Sequence, residues 1–537
     1  MGARNARLLV IAAGLAVGSQ AAAAPHGVRL TYPGDPTTSM AVSWTSNDPG
    51  ADTIIYGTDM ANLDQSMTAQ QSFSQASPLG NSFTATLTGL TPGTTYFYRV
   101  GTTGDYQPGP ASDPYQFSTR PADACAEMRF ILIGDNRADT DGVGAAPLWS
   151  QILDEAIAFA PDFFVNTGDM VKNGDDPVEW AGFIDDSEKG WALVPSILTI
   201  GNHDDMDDNG PGAYYSQLYE LPKNSQNSWE NYYSIDIGPI HFVSLDSNAR
   251  GTELTNMVSW LDADLTATSQ PFKIIFFHHA IYSRGNHFTG EEDSGLLNAT
   301  LIPVFDAHDV DFVFNGHSHN YERYAPTVGV DPEWDGTATA RSFPAGTGGA
   351  VAPGSALPDG ATGTTYLVSG GAGALTTEVA GIECIDAGCT LCISPVALGD
   401  CDADVWDRDK DANVVYDGAH NFAVFTVDNG VIDVEVWTTT AGNASSAEKI
   451  DWFTMESPEI VAQCATVGTP DAGPGGGDGG GGTGDAATGD PADSGTGSGA
   501  DGDESGGCGC QSQGSPGGVI ALGVAIALAS IRRRRRR

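Results

Sequence analysis

Five short motifs between positions 134 and 323 carry side chains of the types that can bind metal ions. They are Gly134-Asp135, Gly168-Asp169, Gly201-Asn202-His203-Asp204, Phe277-His278-His279 and Gly316-His317-Ser318-His319-Asn320-Tyr321-Glu322-Arg323. Carboxylate oxygens and neutral imidazoles suit hard or borderline divalent ions, and a bridging carboxylate holds two such ions ~3.5–4 Å apart. Such a pair lowers the pKa of a shared water, binds a phosphoryl group and stabilises the attacking and leaving oxygens of an in-line displacement. A lone Gly-Asp after a strand is ordinarily a turn or a helix cap, and a lone His-x-His carries little information. The weight lies in the series.

Each motif follows a short apolar run: Phe130 to Ile133, Phe163 to Val165, Ile197 to Ile200, Ile274 to Phe277 and Phe312 to Phe314. Runs of that length, rich in β-branched and aromatic residues, predict buried strands. Open α/β sheets place ligand sites just outside the carboxyl ends of their strands. Five strand ends therefore converge on one rim. Helical patterns over Trp149 to Phe159, Thr252 to Leu265 and Gly295 to Phe305 lie between the motif strands. Thr365 to Val368, Phe422 to Phe425 and Val431 to Trp437 read as the closing strands.

The ordered motif set resembles the calcineurin-like metallophosphoesterases, and the Gly-His-x-His-x-Tyr-Glu-Arg run resembles the purple acid phosphatase branch. The resemblance spans roughly residues 27 to 457. It implies an α/β catalytic domain of two mixed sheets flanked by helices, over 127–457, and a centre of two divalent ions, with zinc, manganese or iron as candidates. Carried over by position, Asp169 bridges the ions and Asp135 and His319 hold the first. Asn202, His278 and His317 hold the second. His278 is taken rather than His279 because the family's ligand precedes a small residue at +2 and an aromatic at +4, here Ala280 and Tyr282. His203 and His287 match outer-sphere histidines that meet the substrate phosphate or the leaving group.

Two positions depart from the pattern. The purple acid phosphatase Tyr, whose phenolate binds ferric iron, is replaced three residues after Asp169 by Lys172. The His that other metallophosphoesterases carry two residues after the first Asp is replaced by Arg137. Neither is a ligand while protonated. The first ion therefore lacks one protein ligand unless Asn136, Asn173 or a loop residue supplies it, and a ferric–tyrosinate site is not expected. Arg137, and Lys172 less firmly, read as phosphate clamps, since a guanidinium suits bidentate phosphate binding; both also read as ordinary surface charges.

The chain of 537 residues has room for two or three domains. Residues 1–24 read as a secretory signal, with Arg4 and Arg7 ahead of the apolar run Leu8 to Val17 and a small-residue region at Ala21 to Ala24. Export agrees with eight cysteines, for which disulfides are the expected fate; a zinc knuckle at Cys389 and Cys392 is the competing reading. A net charge of −45 argues against nucleic acid as a held partner.

Residues 27–120 show alternating apolar runs separated by turn residues, as in a β-sandwich, and Leu87 to Val100 resembles fibronectin type III modules and the amino-terminal domain of plant-type purple acid phosphatases. Its expected role is scaffolding. The alternating aspartates of 400–411 suit calcium or a solvated acidic loop, though Ala412 and Gly418 stand where an EF-hand loop needs Gly and Glu. Residues 467–507 are a Gly- and Asp-rich linker expected to be disordered. In 508–537, Cys508 and Cys510 precede an apolar run from Gly517 to Ile531 and six arginines. That order resembles sorting tails of the MYXO-CTERM type, which implies surface attachment or processing near the cysteines; a plain membrane anchor is the alternative.

The expected function is an exported phosphatase that hydrolyses small phosphomonoesters, with a metal-held hydroxide attacking phosphorus in line. Asn202, His203, His287 and Arg137 would handle the phosphoryl oxygens and the leaving group. A nucleotide phosphodiesterase or nucleotidase fits the same ligands. A non-catalytic surface protein with a decayed metal site is the rival from another class. Substrate choice falls to the loops 204–230, 283–296 and 328–362.

Overall fold

The computed structural model describes residues 24–74, 78–205, 212–225, 230–283, 287, 292–329, 355–356, 363–374, 383–384, 391–392, 413–417, 419–439, 447–457, 461 and 464. Outside them lie the signal segment as far as residue 23, the acidic stretch 400–411, the linker 467–507, the tail 508–537 and much of the three substrate loops. The chain divides into a unit Met1–Asp471 and a unit Ala472–Arg537, and the second falls wholly outside the described residues.

Among the described residues, two mixed sheets hold the motif strands. The first has eleven strands, in the order Ser355–Ala356, Glu448–Glu456, Val431–Thr439, His420–Asp428, Met128–Ile133, Phe163–Asn166, Ser196–Leu198, His26–Thr31, Ser39–Ser46, Asn81–Thr88 and Gln70–Ser74. The second has seven: Tyr233–Ile237, Ile240–Ser244, Phe272–Phe276, Phe312–Asn315, Thr365–Ser369, Tyr321–Tyr324 and Asn413–Asp417. The motif strands of the first sheet run parallel, with Phe130 opposite Phe163 and Phe164 opposite Ser196. Strands covered on both faces read as continuous apolar runs, which is why they are visible in the sequence.

Alternation within the second sheet sorts its side chains. Phe242, Ile274, Phe312 and Phe314 join Phe130, Phe163 and Phe425 in the core between the sheets. Their neighbours Val243, Ile275 and Val313 join a separate core with Leu254, Met257, Leu301 and Phe305 of the helices Gly251–Ala267 and Glu292–Ala307. Phe130 stacks on Phe425 with centroids 4.5 Å apart and meets Phe242 edge-on at 5.4 Å. Rings in both arrangements fill the space between the layers.

The amino-terminal sandwich is present, its second sheet built from Thr53–Gly57, Gln65–Thr68, Thr95–Thr102, Asp105–Gln107 and Tyr115–Ser118. Its first sheet is not separate from the catalytic one. His26–Thr31 pairs in parallel with Ser196–Leu198 at Thr31 and Ser196, so the two sheets run on as one. Polar ties reinforce the joint: Tyr98 donates to the Ala192 carbonyl at 2.7 Å, and the buried Arg29 Nε donates to the Leu218 carbonyl at 2.8 Å. This supports the scaffold role.

The helix Pro177–Trp191, absent from the sequence reading, packs near this joint. Proline opens it and Asp176 caps it, accepting the Val178 N–H at 2.8 Å. Two glycines and the buried Glu179 and Ser187 blur its apolar periodicity. Cys125 and Cys464 form a disulfide across the two ends of the catalytic domain, with Cα atoms 5.6 Å apart.

The Tyr-Glu-Arg run proves to be a structural tie. Tyr321 donates to Asp451 at 2.8 Å, and Arg323 pairs with both oxygens of the same carboxylate at 2.6 and 3.0 Å. Arg323 lies in the second sheet and Asp451 in the first, and both are fully buried. Removing one partner leaves an uncompensated buried charge, so Asp451→Ala is expected to cost about 3–5 kcal/mol, read as a lower urea midpoint. An unchanged midpoint would deny that the pair holds the sheets together.

Candidate metal centre

Three ligand atoms stand close around His278 Nε2 at the rim where the two sheets meet. His278 Nε2 lies 2.9 Å from Asn202 Oδ1, 3.2 Å from Asp169 Oδ1 and 3.2 Å from His317 Nδ1. Ligands ~2.1 Å from a common ion sit about 3 Å apart when adjacent in its coordination shell. His278 Nδ1 is spoken for, donating to the Thr167 carbonyl at 2.9 Å, which aims Nε2 inward. His278 is fully buried, Asp169 and His317 nearly so, and Asn202 is half-buried at the mouth. The residues named for the second ion are thus brought together around His278.

The electrostatics ask for a cation at this point. Burial pushes the Asp169 carboxyl upward, but the neighbouring His278, His203 and Arg137 outweigh it and hold the group well below the usual carboxylate range. Burial also pulls His278 down, and Asp169 and Asp135 reverse that, raising the ring to about 9.

Local backbone geometry sets these ligands. Asp135, Asp169 and His317 all have positive φ, at 58°, 56° and 69°. Non-glycine residues there are uncommon, Asp and His less so than most, and they cluster at functional sites. Each strand therefore turns sharply at its ligand. Glycine before the ligand permits close approach: a Cβ on Gly201 would stand 2.2 Å from Asp169 Oδ1, and one on Gly316 2.4 Å from Asp135 Oδ2.

Asp204, quoted in the third motif without a role, organises the bridging loop. Its Oδ2 accepts the N–H groups of Asp169 and Gly201 at 2.8 and 2.9 Å, and its Oδ1 those of Met170 and Val171 at 2.9 and 3.2 Å. Burial and the Asp169 charge push this carboxyl up to about 7, against the pull of those donors. Only the repeated Asp after Asn-His pointed to it in the sequence.

The first position is different. Asp135, Asp169 and His319 do converge, with His319 Nε2 3.5 Å from Asp135 Oδ1, and Asp135, Asp169 and His278 offer atoms within 4.8 Å of one another. But the Arg137 guanidinium shares the space. Its Nε donates to Asp169 Oδ2 at 3.2 Å, Nη1 to Asp139 at 2.9 Å, and Nη2 lies 3.5 Å from His319 Nε2. Neither asparagine completes the site. Asn136 accepts from Asn166 at 2.6 Å and donates to the Ala372 carbonyl, while Asn173 donates to Glu179 at 2.7 Å. Lys172 departs from the clamp reading: its Nζ turns to the Asp139 carbonyl at 2.8 Å and to Asp141 at 2.6 Å. The residues at the first position do not fit an ion as they fit one at the second.

The outer histidines lie where the substrate side is expected. His203 Nδ1 donates to the Lys172 carbonyl at 2.7 Å, which leaves Nε2 on the far side of the ring. His287 packs on His317 with centroids 3.8 Å apart. His279 is buried against His317 and bonded through Nδ1 to Ser247 at 2.8 Å; burial and the two neighbouring histidines hold it well below the ordinary imidazole value.

Comparison with known proteins finds family models for two parts of the chain. Residues 25–119 match the family model for the purple acid phosphatase N-terminal domain, and residues 128–321 that for calcineurin-like phosphoesterases. An uncharacterised protein of Mycobacterium tuberculosis is 27% identical over 380 residues, 65% of this chain and 69% of that protein. A phosphoenolpyruvate phosphatase of Allium cepa is 26% identical over 313 residues, 56% of this chain and 63% of that protein. A purple acid phosphatase from Lupinus luteus seeds shares the fold with a TM-score of 0.58 and 19% identity, over 84% of this chain and 78% of that one.

Two outcomes follow from the second position. Ion binding displaces the proton of His278, so apparent affinity should rise about tenfold per pH unit and level off above about 9. In the metal-free protein, the same raised value contributes stability below the ordinary 6.5 that is lost as pH passes about 9. Chelator competition and pH-dependent denaturation read the two effects, and flat profiles would contradict them. Asp204→Ala should lower ion affinity about 10–100-fold by releasing the bridging loop, measured by the same competition; wild-type affinity would remove Asp204 from the machinery.

Proposed function

The chain belongs to the calcineurin-like metallophosphoesterases, carrying the purple acid phosphatase N-terminal domain ahead of its catalytic domain, and we propose that it is an exported metal-dependent phosphatase of small phosphomonoesters. The observation that carries this reading is the gathering of Asp169, Asn202 and His317 ligand atoms at 2.9–3.2 Å from His278 Nε2, with His287 packed beside His317. Zinc, manganese or ferrous iron bound there supplies Lewis acidity and lowers the pKa of its water. The complete ligand set of this position speaks against a decayed binding protein. Among the described residues of the site nothing favours a nucleotide diester over a monoester, and the Allium relative is named for a monoester.

The chain's own groups do the remaining work. His203 is held through Nδ1, so Nε2 is the atom that carries a proton to the leaving alkoxide. His287 contributes a second imidazole beside His317. Arg137 brings a permanent positive charge to the phosphoryl oxygens. Export is supported by the basic and apolar leader at 1–24 and by the Cys125–Cys464 bridge, which belongs to an oxidising compartment. The tail at 508–537 is read as a surface attachment that is retained or processed.

Hydrolysis of p-nitrophenyl phosphate by the mature chain, loaded in turn with zinc, manganese and iron, tests the reading. Asp169→Asn should abolish metal-dependent turnover. His203→Ala should lower kcat by about 10²–10⁴-fold at unchanged metal content. Full turnover in Asp169→Asn, or bound metal without hydrolysis of any phosphate ester, would defeat the proposal.

A further inference from the structure

We infer that the Arg137 guanidinium stands in for the first metal ion, so that the centre holds a single divalent ion, ringed by Asp169, Asn202, His278 and His317. The inference rests on the phosphatase reading only in taking the second position for an ion site.

Asp135 and Asp169 are at most 1% exposed and need compensating positive charge. The bridging carboxylate divides its oxygens: Oδ1 faces the His278 cluster, while Oδ2 meets Arg137 Nε at 3.2 Å. On its far side the guanidinium reaches His319 Nε2 at 3.5 Å, the atom that would bind the first ion. Asp139, bonded to Nη1 at 2.9 Å, pins it there. The root of the side chain is equally fixed, because the Arg137 N–H donates to the Asp169 carbonyl at 3.0 Å and the residue is 8% exposed. A dication among the same atoms would face a like charge in a place with little water to screen it.

Among the described residues, those at the positions where the missing ligand was sought do not make it good. Lys172, Asn136 and Asn173 stand at the positions where one was sought, and each is held by partners away from the centre. Arginine does not lose its proton in proteins and has five N–H donors. It therefore gives the first position a fixed single charge that chelators do not remove. Its spare Nη hydrogens suit phosphate oxygens. Lewis acidity is then confined to the second position.

Metal analysis and electron paramagnetic resonance of the full mature chain, saturated with Mn²⁺ and dialysed, test this. One manganese per chain is expected, with the six-line spectrum of an isolated ion. Arg137→His, which puts an imidazole two residues after Asp135, should raise the content to two and produce a spin-coupled spectrum. His317→Ala should lose the single ion and His319→Ala should keep it. Two coupled ions in the unaltered chain would overturn the inference and leave the phosphatase reading standing. No bound ion would overturn both. A content that stays at one in folded Arg137→His, or an ion kept in His317→Ala and lost in His319→Ala, would also overturn it. If Arg137→His does not fold, the unaltered chain and the histidine pair decide.

Discussion

Buried negative charge governs the architecture of this site. Asp135 and Asp169 follow adjacent parallel strands and sit at the rim with almost no solvent. Carboxylates so placed are tolerable only when cations or N–H donors surround them. The sharp turns at Asp135, Asp169 and His317, the glycines that admit close approach, and the four amide bonds onto Asp204 all bring charge and dipole to that rim. The tie between Arg323 and Asp451 applies the same rule between the layers, where one carboxylate receives Tyr321 as well. An interior this rich in paired charge gains definition of geometry more than stability.

The scaffold is as continuous as the site is local. With His26–Thr31 entering the catalytic sheet beside Ser196–Leu198, the amino-terminal sandwich extends one edge of the layer that presents Asp135, Asp169 and Asn202. The third motif strand is thus an interior strand of the combined sheet. Without its neighbour it would be an open edge next to a ligand-bearing turn.

Much of this was legible in the sequence, for identifiable reasons. Motif strands covered on both faces read as apolar runs, and the helices at Trp149, Gly251 and Glu292 appear within a few residues of their expected limits. His278 bonds to the Thr167 carbonyl beside the cluster, while His279 bonds to Ser247. What stayed hidden depends on partners far along the chain. No local pattern shows that Arg137 points inward and Lys172 outward, since both are long cations after a turn. Asp451 finds Arg323 across two sheets, and Thr31 finds Ser196 across two domains. The helix Pro177–Trp191 carried a cap and an opening proline, yet its buried polar residues concealed the periodicity.

The pairing of Phe130 with Phe163 on one side and Phe425 on the other sets the order in which this protein can acquire its fold. The first pairing is available early in synthesis. The second waits until nearly the whole catalytic domain has emerged, and contacts so distant along the chain are slow to close. In the interval the Phe-rich face that becomes the core between the sheets has only part of its cover, and species of that kind aggregate. The contact that completes the first sheet is therefore one of its most distant along the chain, joining Met128–Ile133 to His420–Asp428.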